Sequence, residues 1–71
     1  MIEILTHGII ESDEQLLELA AGSSRIVIPD CHEEVELTHW WVIREEGREA
    51  LYAGTPETFA TYVGERNGGL Q

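Results

Sequence analysis

Lysine is absent from this 71-residue chain, whose basic side chains, histidine apart, are Arg25, Arg44, Arg48 and Arg66. Four arginines diluted among fourteen carboxylates form no basic patch, which argues against direct binding of nucleic acid through phosphate contacts. Cysteine occurs once, at Cys31, so an intrachain disulfide is excluded and a reduced, cytoplasmic setting is expected. No apolar run approaches the roughly 18 residues of a membrane span, and Met1-Ile2-Glu3-Ile4-Leu5 lacks a basic leader region. The expectation is a soluble, unsecreted protein, complete without processing and without membrane contact. Repeats, linkers and low-complexity segments are missing too. A chain of this length holds one core, so residues 1–71 read as a single domain with a frayed end over 68–71.

What large apolar residues there are concentrate between Thr38 and Gly54, a stretch with both tryptophans and one of the two tyrosines. Glu46-Gly47 interrupts two β-prone runs there, and glycine supplies the positive φ of a tight hairpin turn. A turn centred on that pair sets Arg44 opposite Glu49, Ile43 opposite Ala50, Val42 opposite Leu51 and Trp41 opposite Tyr52. The outgoing strand reads as 35–44 and the returning one as 49–53. Val35, Leu37, His39, Trp41 and Ile43 alternate with Glu36, Thr38, Trp40, Val42 and Arg44, and the first set, with Tyr52, is the expected core face.

The flanking segments follow local rules. Ile2 to Leu5 reads as a short strand ended near Gly8. Ser12 followed three residues later by Gln15 has the form of a capping box, and Gly22 is a stop, which predicts a helix over 13–21. Residues 25–28 are β-branched and apolar on both sides, the pattern of a central strand. Thr55 as N-cap with Pro56 at the first helical position opens a second helix, whose Phe59, Tyr62 and Val63 share one face. The order is β-α-β-β-β-α. It predicts an α+β fold in two layers, a mostly antiparallel four-stranded sheet with two helices packed on one face.

Chemistry-bearing constellations are sparse. Asp30-Cys31-His32-Glu33-Glu34, with His39 downstream, gathers metal-ligating types, but the paired cysteines of a structural zinc site are missing. Cys31 with His32 or His39 has no orienting third residue and no oxyanion device. Gly54-Thr55-Pro56 reads as ordinary helix initiation rather than a phosphate loop. No catalytic residue, metal or cofactor is expected, and the chain reads as a non-enzyme.

Net charge is the outlier, at −10. A compact chain of this length spans roughly 30 Å. Its excess charge, gathered on one side, would fall about one per 3 Å, against one per ~1.7 Å along duplex DNA. Asp30, Glu33, Glu34 and Glu36 crowd one strand approach with no arginine before Ile43. Glu14 and Glu18 lie one helical turn apart, and Glu45, Glu46 and Glu49 surround the hairpin turn. Opposite the core face, Trp40, Val42 and Leu51 form an exposed apolar patch if both helices cover the other side. If one helix covers each face, or the N-terminal segment folds over the patch, Trp40 is core.

In size, acidity, lysine-free basic content and lack of enzymatic motifs, the chain resembles small phage and mobile-element proteins that block host defence. Anti-CRISPR proteins acting as DNA mimics are the nearest group. The resemblance implies a host effector complex whose PAM- or target-DNA-binding surface is blocked in the host cytoplasm, with the acidic stretches standing in for phosphates. The expected partner is a basic, nucleic-acid-binding protein. The expected contact residues are Glu14, Glu18, Asp30, Glu33, Glu34, Glu36, Trp40, Val42, Glu45, Glu46, Glu49 and Leu51. Two alternatives fit the same residues: an immunity or antitoxin-like partner of a basic toxin, and an interaction domain that homodimerises through the Trp40 patch.

Overall fold

A computed structural model describes residues 1–31 and 33–68. Six elements follow in order: β1 (Ile2–Ile9), α1 (Asp13–Ala21), β2 (Ile26–Val27), β3 (His39–Glu45), β4 (Arg48–Gly54) and α2 (Pro56–Arg66). The order, the α+β class and the largely antiparallel sheet match the sequence reading. The sheet runs β1-β3-β4-β2, with β3 antiparallel to both its neighbours and β2 parallel to β4.

The hairpin between β3 and β4 organises this sheet. Glu46 (φ 53°) and Gly47 (φ 78°) both take the left-handed conformation, the pattern of a two-residue turn matched to strand twist. The register follows from it: Trp41 faces Tyr52, Val42 faces Leu51, Ile43 faces Ala50 and Arg44 faces Glu49. α1 begins as its sequence requires, the Ser12 hydroxyl accepting the Gln15 N–H at 3.1 Å. The Gln15 side chain accepts from the Glu11 N–H at 2.6 Å, one residue earlier than a capping box would have it. α2 has a full box, in which Thr55 and Thr58 each accept the other's backbone N–H.

The core lies between α2 and the sheet. Trp41 stacks flat on Phe59, with ring centroids 4.1 Å apart and planes 5° from parallel. Tyr52 meets both rings edge-on, at 5.8 and 5.2 Å. Such pairs add about 0.5–1.5 kcal/mol each beyond area burial. Ile2, Ile43 and Ala50 complete the buried cluster, with Val27, Tyr62 and Val63 packed at its margin.

Four features differ from the sequence reading. The helices lie on opposite faces rather than on one. α2 claims the Trp41 face, while Leu19 of α1 shares a groove with Val42 and Glu49 on the other, where Leu51 is fully buried. β1 and β2 are parallel at opposite edges, so α1 crosses the sheet between them, and the groove that Leu19 shares with Val42 marks the face it takes. β2 is a two-residue strand at the edge of the sheet, not a central one, and Pro29, with no N–H to donate, cannot continue its ladder. β3 begins at His39, since the Glu34 and Val35 N–H groups both bond the Cys31 carbonyl and hold that segment in a turn. β1 runs on to Ile9, opposite His39, past a bulge between Ile4 and Thr6. The frayed end expected over 68–71 falls, apart from Gly68, outside the described residues.

Two outcomes follow from this packing. The Trp40 ring lies so close over Gly8 that an added Cβ would sit 2.8 Å from Cζ2. Gly8→Ala, a change that ordinarily favours a strand, therefore lowers stability by about 1–3 kcal/mol in urea unfolding; a gain would contradict the contact. Burial pushes the Tyr52 phenol above its ordinary value, opposed in part by its hydrogen bond with Thr58. The folded state thus holds the phenolic proton more tightly than the unfolded chain does. That stabilisation is complete below the unfolded value and is lost as pH rises through the folded one. Melting curves from about pH 8 to 11 should fall more steeply for wild type than for Tyr52→Phe; parallel curves would refute the burial argument.

Candidate functional site

The topology sorts the charged residues by end. Both β1 and β4 run antiparallel to β3, so they point the same way, and β2 follows β4. Every segment that leaves β1, β2 or β4, or enters β3, therefore lies at the end of the sheet opposite the Glu46-Gly47 turn. Glu11, Asp13 and Glu14 open α1 there, and Glu57 opens α2. Asp30, Glu33, Glu34 and Glu36 lie in the connection that crosses from β2 to β3. All eight are exposed. No arginine occurs in any of these segments.

The arginines gather at the other end. Arg44 and Arg48 flank the hairpin turn, Arg25 immediately precedes β2, and Arg66 ends α2 beside Asn67, whose side chain accepts the Ile2 N–H at 2.8 Å. Arg25 reaches Glu45 at 3.7 Å and Arg44 reaches Glu49 at 3.2 Å. The Arg44–Glu49 pair is exposed and contributes little to stability, but both pairs cancel charge locally. Glu45 and Glu49 are thereby neutralised where they stand, and Glu46 projects from the turn between Arg44 and Arg48.

The expected contact residues thus divide. Asp30, Glu33, Glu34 and Glu36 come together at the arginine-free end with Glu14, and Glu18 continues one turn along α1. Glu45, Glu46 and Glu49 belong to the opposite, balanced end. The apolar members sit under cover: Leu51 is fully buried, Val42 is half-buried in the groove with Leu19, and Trp40 is half-buried over Gly8. The Trp40 indole N–H is buried with no hydrogen-bond partner among the described residues. The exposed patch expected on this face is closed by α1.

The contact residues expected from the sequence do not include Glu11, Asp13 or Glu57. Their place at the helix N-termini does serve the helix dipoles. What the linear sequence did not show is that both helices start at the same end, a consequence of the parallel directions of β1 and β4.

The remaining polar clusters are modest. His39 stacks over Trp41 at 6.0 Å, and its Nδ1 lies 2.7 Å from the Thr38 hydroxyl. Cys31 is exposed. Among the described residues no three histidine, cysteine or acidic side chains are placed to hold a metal, and His32 lies outside them. An open groove of about 610 Å³ runs between Ile28–Cys31 and α2, floored by Val27 and Tyr52. Among the described residues no helix is long and apolar enough to cross a membrane. Compared with known protein families, curated proteins and solved structures, the chain matches none.

Among the described residues the Glu33, Glu34 and Glu36 carboxylates have no hydrogen bond or ion pair, so removing their charge relieves repulsion. The triple variant Glu33→Gln, Glu34→Gln, Glu36→Gln should melt about 2–4 °C higher than wild type at low salt. The gain should vanish near 1 M salt, where the screening length is ~3 Å. A lower melting temperature would show that these carboxylates support the structure.

Proposed function

We propose that the protein is a non-enzymatic acidic inhibitor that occupies the basic nucleic-acid-binding surface of another protein. The observation that carries this reading is the segregation of charge. Eight exposed carboxylates rim one end of the molecule without an arginine among them, while all four arginines lie toward the other. Eight charges are what about 14 Å of duplex DNA carries.

Such an end steers association with a cationic cleft, and the rate falls as salt screens it. The general resemblance to anti-CRISPR DNA mimics narrows the proposal to a defence effector complex in the cytoplasm, with the acidic end seated where target DNA or its PAM would bind. In that seat Glu33, Glu34 and Glu36 take the place of phosphates on one strand, and Glu11, Asp13, Glu14 and Glu57 lie around them.

The test is capture from host lysate on immobilised protein, at low and high salt, with and without added duplex DNA. Nucleic-acid-binding proteins should be retained at low salt, released by DNA, and lost with the Glu33→Gln, Glu34→Gln, Glu36→Gln variant. Capture indifferent to both DNA and the variant would overturn the reading.

A further inference from the structure

β1 is an open edge of the sheet, and at eight residues it is far longer than the other edge, the two-residue β2. Long edge strands are ordinarily blunted with charge, and this one carries a single carboxylate, Glu3. It exposes apolar side chains instead: Ile4 is 51 % exposed, Leu5 41 % and Ile9 63 %.

The bulge arranges these side chains. Residues five apart in a regular strand point to opposite faces. The extra residue between Ile4 and Thr6 removes that offset, so Ile4 pairs with Ile43 and Ile9 with His39, both on the Trp41 face. Two isoleucines thus stand on one face of an unpaired edge, outside the cover that α2 gives Trp41. Backbone groups are open beside them. The Ile10 N–H donates to the Thr38 carbonyl, which directs Ile10, Gly8 and Thr6 toward β3 and turns His7 and Ile9 outward. At the other end the Ile2 N–H is taken by Asn67, which closes the edge there.

We propose that this edge pairs antiparallel with β1 of a second copy of the chain, about a twofold axis between Leu5 and Thr6. Ile4 then lies opposite His7 of the second copy, Ile2 opposite Ile9, and Glu3 opposite Gly8, so no like charges meet. On the Trp41 face Ile4 of each copy is then the diagonal neighbour of Ile9 of the other, with His7 and Ile2 beside them. The edge is complementary to itself in this register, and charge selects its direction. Antiparallel pairing sets the acidic end of each copy beside the arginine-bearing end of the other. Parallel pairing would set the two acidic ends side by side. The dimer presents its two acidic ends at opposite corners, and it stands whatever those ends bind.

Sedimentation of the full chain from about 10 μM to 1 mM should show a concentration-dependent dimer. Ile4→Lys with Ile9→Lys changes only half-exposed positions, so it should keep the wild-type circular dichroism and weaken self-association at least about 100-fold. Amide exchange gives a reading on the wild type alone: the His7 N–H should slow as concentration rises. A chain that stays monomeric to 1 mM with rapid His7 exchange would overturn the proposal. So would a dimer that survives in the folded double variant, or one in which His7 exchange does not change.

Discussion

The two-residue turn at Glu46-Gly47 is the constraint on which the rest depends. Two consecutive left-handed residues leave β3 and β4 one register, and that register sets Trp41 beside Tyr52. Phe59 then has one flat surface to stack on, and α2 is drawn to that face. A slip of one residue would put Trp41 and Ile43 on the side of the sheet opposite Tyr52, and the aromatic cluster would be lost. For a 71-residue chain with net stability of only a few kcal/mol, that aromatic cluster and its register decide whether the fold exists.

The same hairpin determines where charge goes. Because β3 is antiparallel to both neighbours, β1 and β4 share a direction, and the helices that follow them start at one end. The acidic residues that suit helix N-termini are thereby collected with the acidic β2–β3 connection. The arginines fall at the turn, before β2 and at the end of α2, where Glu45 and Glu49 meet two of them. A chain with this composition but a different strand order would spread its carboxylates around the surface. Here the fold turns a net charge of −10 into a directional one.

What was legible in the sequence was what local chemistry governs. Gly47 announced the turn and its register. Ser12 with Gln15 announced the start of α1, and Thr55 with Pro56 the start of α2. What was not legible depends on partners distant in the chain. Residues 25–28 have the composition of a central strand, yet Pro29 and the strand order leave Ile26–Val27 at an edge. Trp40, Val42 and Leu51 read as an open patch until α1 is seen to cross that face. Of the acidic site, Asp30 to Glu36 was visible as a cluster. The contribution of Glu11, Asp13 and Glu57 was not, because nothing in the sequence states that β1 and β4 are parallel. The bulge that brings Ile4 and Ile9 to one face is likewise a product of pairing with β3.

The central claim is that the negative potential of this protein belongs to one end. The most direct measurement is residue-by-residue near-surface potential, from amide relaxation enhancement by cationic against neutral paramagnetic cosolutes. The account predicts the most negative values at Glu11 to Glu14, Asp30 to Glu36 and Glu57, with values near neutral from Arg44 to Glu49. A potential equally negative at the hairpin turn and at the β2–β3 connection would contradict it.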